Sequence, residues 1–173
     1  MENALRTAIK NDEFFVVYQP QVDINSNKTV GLEALLRWKN TERGLVSPAI
    51  FIPVLEETGL IYEVGEWVIK NVFDFIKSGQ AHGAKVSINL SALQCSSHNF
   101  SETISNYLQQ SGINASQVEF EITESLLIND FNKTEKFLNA IHDLGCTIAL
   151  DDFGTGYTSF GYLTKLPLDI IKL

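Results

Sequence analysis

The chain has 173 residues, 45% apolar and 20% charged, with a formal net charge of -8. That size and balance suit one soluble domain with a real core, and the acidic excess argues against a nucleic-acid polymer as partner, whose phosphates attract clustered Lys and Arg. No apolar run is long enough to cross a bilayer and no signal peptide opens the chain. Cys95 and Cys146 lack metal-ligand spacing, so the expected setting is the cytoplasm with both thiols reduced.

Residues 3–11 place Leu5, Ala8 and Ile9 at helical spacing. FFVVYQPQV (14–22) reads as a strand, with Pro20 suited to a strand end or an edge, and a turn at 25–27 leads into a second strand over 29–38. Residues 43–47 read as a loop, and Ser47-Pro48 as a helix start, with a stop near Gly59. A longer amphipathic helix follows, from Val64 through Ile76, ending near Gly79. Strands are predicted at 85–90 and 118–123. Helices are predicted through Ile104 to Gly112, through Phe137 to Gly145, and briefly at 159–163. A last apolar run occupies 169–173. The alternation of strands and helices is the grammar of a parallel sheet with crossover helices.

The centre of this pattern is TIALDDFGTGY (147–157), an apolar run that ends in two adjacent carboxylates, Asp151 and Asp152, and a glycine-bearing loop. Adjacent acids repel, and a divalent cation is one remedy; a solvated surface turn is the plainer reading of this fragment alone. Other strands carry polar residues where burial should forbid them. Glu33 and Arg37 share a face with Leu35, Asn89 follows Ser87, Glu121 follows Glu119, and Lys172 interrupts the last run. An unpaired buried carboxylate costs several kcal/mol, so acids and an amide recurring on successive strands suggest mutual use at one end of the sheet. Their oxygen donors suit Mg²⁺, Mn²⁺ or Ca²⁺ better than Zn²⁺. Two such ions about 4 Å apart can clamp a phosphodiester. The competing reading makes these residues strand-end ion pairs with Arg37, Lys85 and Lys172. His82, His98 and His142 have no partner spacing and read as solvated; Phe51 and Pro53 either pack or border a ligand.

The chain resembles the EAL domain family in nearly its whole length. The blocks are YQP at 18–20, EALLRW at 33–38, SPAIFIPVLEETGLI at 47–61, INLSALQ at 88–94, EITES at 121–125 and DDFGTGYTSFGYLTKLPLDIIK at 151–172. The resemblance implies an α/β fold, a TIM-like (β/α) barrel whose first strand runs antiparallel to the rest. It implies hydrolysis of one phosphodiester of cyclic di-GMP to the linear dinucleotide pGpG, with Mg²⁺ or Mn²⁺ as cofactor and Ca²⁺ inhibitory. Glu33, Asn89, Glu121 and Asp151 match the ligands of one metal, and Asp151 and Asp152 those of a second. Lys172, Glu33 and Asp152 are the implied catalytic residues. Gln19, Leu36, Arg37 and Pro53 are the implied substrate contacts, Arg37 toward a phosphate. The loop 152–158 matches one that helps place the metals and mediates dimer contacts.

The family's barrel continues for two further βα units, which bring a glutamate of the second metal site and a substrate-side glutamine. The present residues are therefore expected to form a single partial EAL domain over 1–173, with about six of eight strands. Open strand edges are expected to be covered in a homodimer or swapped oligomer. The alternative is an EAL-derived module that binds cyclic di-GMP or a protein without catalysis.

Overall fold

The computed structural model describes residues 1–124, 126, 130–154 and 163–172. Its frame is one sheet, ordered β1-β2-β4-β5-β6-β7. Strand β1 (Phe14–Asp23) pairs antiparallel with β2 (Lys28–Asn40), joined by a turn in which Asp23 accepts the Ser26 N–H at 2.7 Å. From β2 onward the main ladder is parallel: β4 (Lys85–Asn89), β5 (Val118–Thr123), β6 (Thr147–Asp151) and the short β7 (Ile170–Ile171). The antiparallel first strand, which periodicity alone does not predict, is present as the family resemblance implies. Pro20 sits within β1, which pairs on one side with β2 and is an edge strand in the described sheet, the setting in which a proline is tolerated. The sheet does not close: no pairing joins β1 to β7 among the described residues.

The helices are α1 (Glu2–Ala8), α2 (Pro48–Glu57), α3 (Ile61–Lys77), α4 (Ala92–Cys95), α5 (His98–Ser111) and α6 (Phe131–Asp143). The structure departs from the expected elements at two places. The expected loop at 43–47 contains a third strand, β3 (Gly44–Val46), which folds back on Trp38, Lys39 and Asn40; three residues are too few to show a period. The stretch after Asn89 forms α4 before α5 begins. Ser91 and Gln94 close a capping box there, Ser91 N–H donating to Gln94 Oε1 at 2.9 Å. The helix stops at Gly59, Gly112 and Gly145 are as predicted, since each glycine follows its helix with positive φ. The short helix predicted at 159–163 lies outside the described residues, Leu163 excepted. Leu173 also lies outside them, and β7 spans only Ile170–Ile171 of the predicted last strand.

Alternation along the strands separates two faces. Ala34 and Trp38, Val86 and Ile88, Val118, Phe120 and Ile122, and Ile148 and Leu150 are all buried on one face, in one core with α3, α5 and α6. Phe14, Trp38, Phe51 and Trp67 add an aromatic cluster with ring centroids 5.7–6.2 Å apart. The opposite face carries Glu33, Arg37, Ser87, Asn89, Glu119, Glu121, Thr147 and Asp151. One face therefore supplies the stability, and the other is left to carry polar groups.

Candidate active site at the strand ends

Register brings the polar residues of neighbouring strands together. Gln19 lies opposite Glu33, Asn89 beside Glu121, and Thr123 beside Asp151. Asn89 Nδ2 donates to Glu33 Oε1 at 2.9 Å, across a strand boundary and 56 residues of chain. Glu121 is 1% exposed, and Lys172 donates to its Oε1. Lys172 Nζ also lies 3.0 Å from Glu119 Oε1. Lys172 reaches this position because its N–H donates to Leu150 O at 2.8 Å and its carbonyl accepts from Phe153 N–H at 3.1 Å. The last strand is thus tied to both β6 and the loop after the aspartates.

Burial strips water from Glu121 and raises its pKa above the usual carboxylate range. Hydrogen bonds from Lys172 and Ser87 oppose that rise, and the Glu33 charge reinforces it. For Lys172, burial works against the ammonium, but the Glu121 and Glu119 carboxylates outweigh it and the pKa ends up raised. The ion-pair reading of these residues therefore holds in part: Lys172 and Lys85 do pair with strand acids. Arg37 does not pair with an acid among the described residues. Its guanidinium donates to Leu36 O at 2.9 Å.

Asp151 closes β6, and Asp152 follows at φ 54°, in the left-handed region that aspartate tolerates better than most residues. Gly154 then donates its N–H to Glu124 Oε2 at 3.0 Å, which anchors the start of the loop. Glu124 is 2% exposed and was not singled out from sequence, although an acid one step beyond a buried strand was a readable signal. Of the loop 152–158, residues 155–158 lie outside the described residues.

The remaining expected site residues are more dispersed. Gln19 is exposed on the edge strand, beside Glu33. Leu36 alternates to the face of Ala34 and Trp38, away from Glu33. It nevertheless lines a cavity of 530 Å³ with Leu35, Arg37, Ile52, Glu56 and Asn89, where burial raises the Glu56 pKa. Pro53 is exposed within α2, whereas Phe51 on the same helix is fully buried and packs. His142 is exposed, and its Nε2 lies 3.7 Å from Asp169 Oδ1 at the surface.

The donor chemistry can be tested against a metal. Among the described residues no three His, Cys, Asp or Glu side chains gather as a ligand cluster. What gathers is mixed: the Glu33 carboxylate, the Asn89 amide and the Glu121 carboxylate, all of them oxygen donors. Two of these are acids close enough to repel, and one acid is buried. A hard divalent cation suits oxygen donors of that kind.

An open, mostly parallel sheet flanked by helices, with Glu33, Asn89, Glu119, Glu121 and Lys172 linked across one of its faces, defines an α/β protein of the barrel type. The EAL domain model matches residues 2–173, and the chain belongs to the EAL domain family. It is 38% identical over 173 residues to a cyclic di-GMP phosphodiesterase of Pseudomonas aeruginosa, covering 98% of this chain and 30% of that protein. An uncharacterized Synechocystis protein is also 38% identical, over all of this chain and 25% of its own length. The chain thus spans about a quarter of the curated relatives it matches. Among solved structures, the PaMucR phosphodiesterase in complex with c-di-GMP superposes with a TM-score of 0.93 at 34% identity, covering 99% of this chain and 70% of that one. No helix among the described residues is long and apolar enough to cross a membrane.

Proposed function

We propose that this chain is the catalytic part of a metal-dependent cyclic di-GMP phosphodiesterase, opening one phosphodiester to give pGpG. The observation that carries the reading is the buried Glu121 carboxylate on β5, level with Asn89 at the end of β4 and flanked by the Asn89–Glu33 pair and by Lys172. A buried acid kept beside a second acid is costly to stability and is the kind of group retained for chemistry. The 38% identity to a protein named as a cyclic di-GMP phosphodiesterase supports the substrate.

In this reading Glu33, Asn89, Glu121 and Asp151 hold one Mg²⁺ or Mn²⁺, and Asp151 with Asp152 contributes to a second. Such ions, when bound, polarise a phosphoryl oxygen and lower the pKa of a water. Lys172 holds its positive charge where negative charge develops on the phosphoryl group. Arg37 donates to a substrate phosphate, exchanging a single backbone carbonyl for a better acceptor. Gln19, beside Glu33, offers an amide to the substrate from the edge strand.

The test is direct. The purified protein is incubated with cyclic di-GMP and Mg²⁺ or Mn²⁺, and the products are separated by anion exchange. Appearance of pGpG, lost in Glu33→Ala, is the expected result. Tight binding of cyclic di-GMP with no product under either metal would instead identify a receptor.

A further inference from the structure

We propose that Glu119 is a positioning residue for Lys172, the anion that keeps the lysine beside the site when Glu121 turns its oxygens to another partner. This deepens the reading above and rests on it for the role of Lys172.

Glu119 lies two residues before Glu121 on the same face of β5, one layer deeper toward the start of the strand. It is 3% exposed, so it is shielded from solvent, and it sits nearer the start of β5 than Glu121 does. Its Oε1 accepts from Ser87 Oγ at 2.9 Å and faces Lys172 Nζ at 3.0 Å. Its Oε2 lies 3.9 Å from Lys85 Nζ, which donates to Thr147 Oγ1 at 2.8 Å. Ser87, Glu119 and Thr147 sit side by side across β4, β5 and β6. The network therefore spans three strands.

Lys172 bridges the two layers, with Glu121 on the rim side and Glu119 beneath. A lysine ammonium is a compact charge on a flexible stem. If Glu121 serves a cation, its hold on Lys172 weakens, and the cation also repels the ammonium. Without a second anion the side chain would swing to solvent. Glu119 supplies that anion from two residues nearer the start of β5, where Ser87 already holds the oxygen it presents.

The experiment compares wild type with Glu119→Gln, which keeps the volume and an acceptor for Ser87. Lys172 accessibility is read by acylation with an amine reagent and mass spectrometry, with and without Mn²⁺. In wild type Lys172 stays protected in both. In Glu119→Gln its labelling with Mn²⁺ rises by about tenfold, the loss of one charge-assisted hydrogen bond, while the other lysines are unchanged. Hydrolysis of cyclic di-GMP gives the second arm. There kcat falls by about tenfold with KM nearly constant, and Glu119→Gln adds nothing in a Lys172→Ala background. Equal Lys172 labelling in wild type and Glu119→Gln overturns the proposal. Absence of any hydrolysis by wild type counts against the phosphodiesterase reading, while the labelling arm still decides the role of Glu119. Should Glu119→Gln fail to fold by circular dichroism, Ser87→Ala replaces it. That variant is expected to raise Lys172 labelling in the same direction but less, and no rise overturns the proposal.

Discussion

Trp38 Nε1 donates to Glu13 Oε2 at 2.9 Å, joining the start of β1 to the far end of β2 beneath the aromatic cluster. Asn40 Nδ2 donates to the same oxygen at 3.0 Å, and Glu13 O accepts from Lys39 N–H at 2.8 Å. Glu13 is 5% exposed and is held by neutral donors rather than by a cation. Trp38 and then Asn40 make the largest contributions to lowering its pKa below the usual glutamate value, against the opposing effect of burial.

The sign of the pH dependence follows from that shift. With the folded pKa below the unfolded one, the stabilisation is fully present above about pH 4.5 and is lost as pH falls through the folded pKa. Urea unfolding of wild type should therefore lose stability on acidification below about pH 4.5, and Glu13→Gln should flatten part of that slope. Glu13→Ala leaves two buried donors without an acceptor and should cost about 3 kcal/mol at neutral pH, read as a lower urea midpoint at unchanged slope.

The acids at the strand ends should trade stability for cation binding. Glu121→Gln removes a buried charge but keeps the shape, and Glu119 still balances Lys172. Its thermal midpoint without added metal should match or exceed that of wild type, whereas the upward shift caused by Mn²⁺ should disappear. Asn89→Ala should weaken the Mn²⁺ shift and also release Glu33, which Asn89 Nδ2 holds at 2.9 Å. Differential scanning fluorimetry across a Mn²⁺ titration checks both. A full Mn²⁺ shift in Glu121→Gln would remove Glu121 from the proposed ligand set.

Much of this arrangement was legible in the chain because period-2 and period-3.6 patterns report burial directly. The polar residue that recurs in strand after strand stood out because the same face otherwise had to be apolar, and Asn89 does meet Glu33 as the shared pattern implied. The same alternation that pairs Glu33 with Arg37 also sends Leu36 to the opposite face. The helix start at Ser47-Pro48 was visible for a different reason, since proline there restricts the backbone locally. Contacts between distant residues were not legible. Nothing in a window around Glu13 points to Trp38, 25 positions away, and nothing around Gln94 points to Ile61. The Ser91–Gln94 capping box was a local signal, but its helix is only four residues long and carries too little periodicity to be noticed.

The thiols offer an independent probe of the core. Cys95 is 1% exposed and Cys146 is 3% exposed. Burial raises both pKa values, that of Cys146 to about 12. Neither should form appreciable thiolate at pH 8, so the folded protein should react slowly with a disulfide reagent such as DTNB. Adding urea should release both thiols together with the loss of secondary structure. Rapid reaction of one thiol in the native state would reveal local opening of α4 or of the turn before β6.

Gly65 on α3 gives the sharpest test of how the sheet and helices are fitted together. Alanine in the middle of a helix ordinarily stabilises it by about 1 kcal/mol relative to glycine. Here a Cβ on residue 65 would lie 1.9 Å from Gln94 Nε2 and 3.4 Å from Phe100 Cζ. Gln94 is 3% exposed; its Oε1 accepts the Ser91 N–H and its Nε2 donates to Ile61 O at 3.4 Å. It cannot yield without giving up the capping box that starts α4, directly after the strand bearing Asn89. Gly65→Ala should therefore destabilise the protein by about 1–3 kcal/mol, reversing the sign expected from helix propensity. Gln94→Ala clears the clash at the cost of the cap, so in that background Gly65→Ala should recover the ordinary helix preference and stabilise by up to about 1 kcal/mol. Urea unfolding of the two single variants and the double variant measures the coupling. Additive effects would show that α3 and α4 do not meet at these two residues.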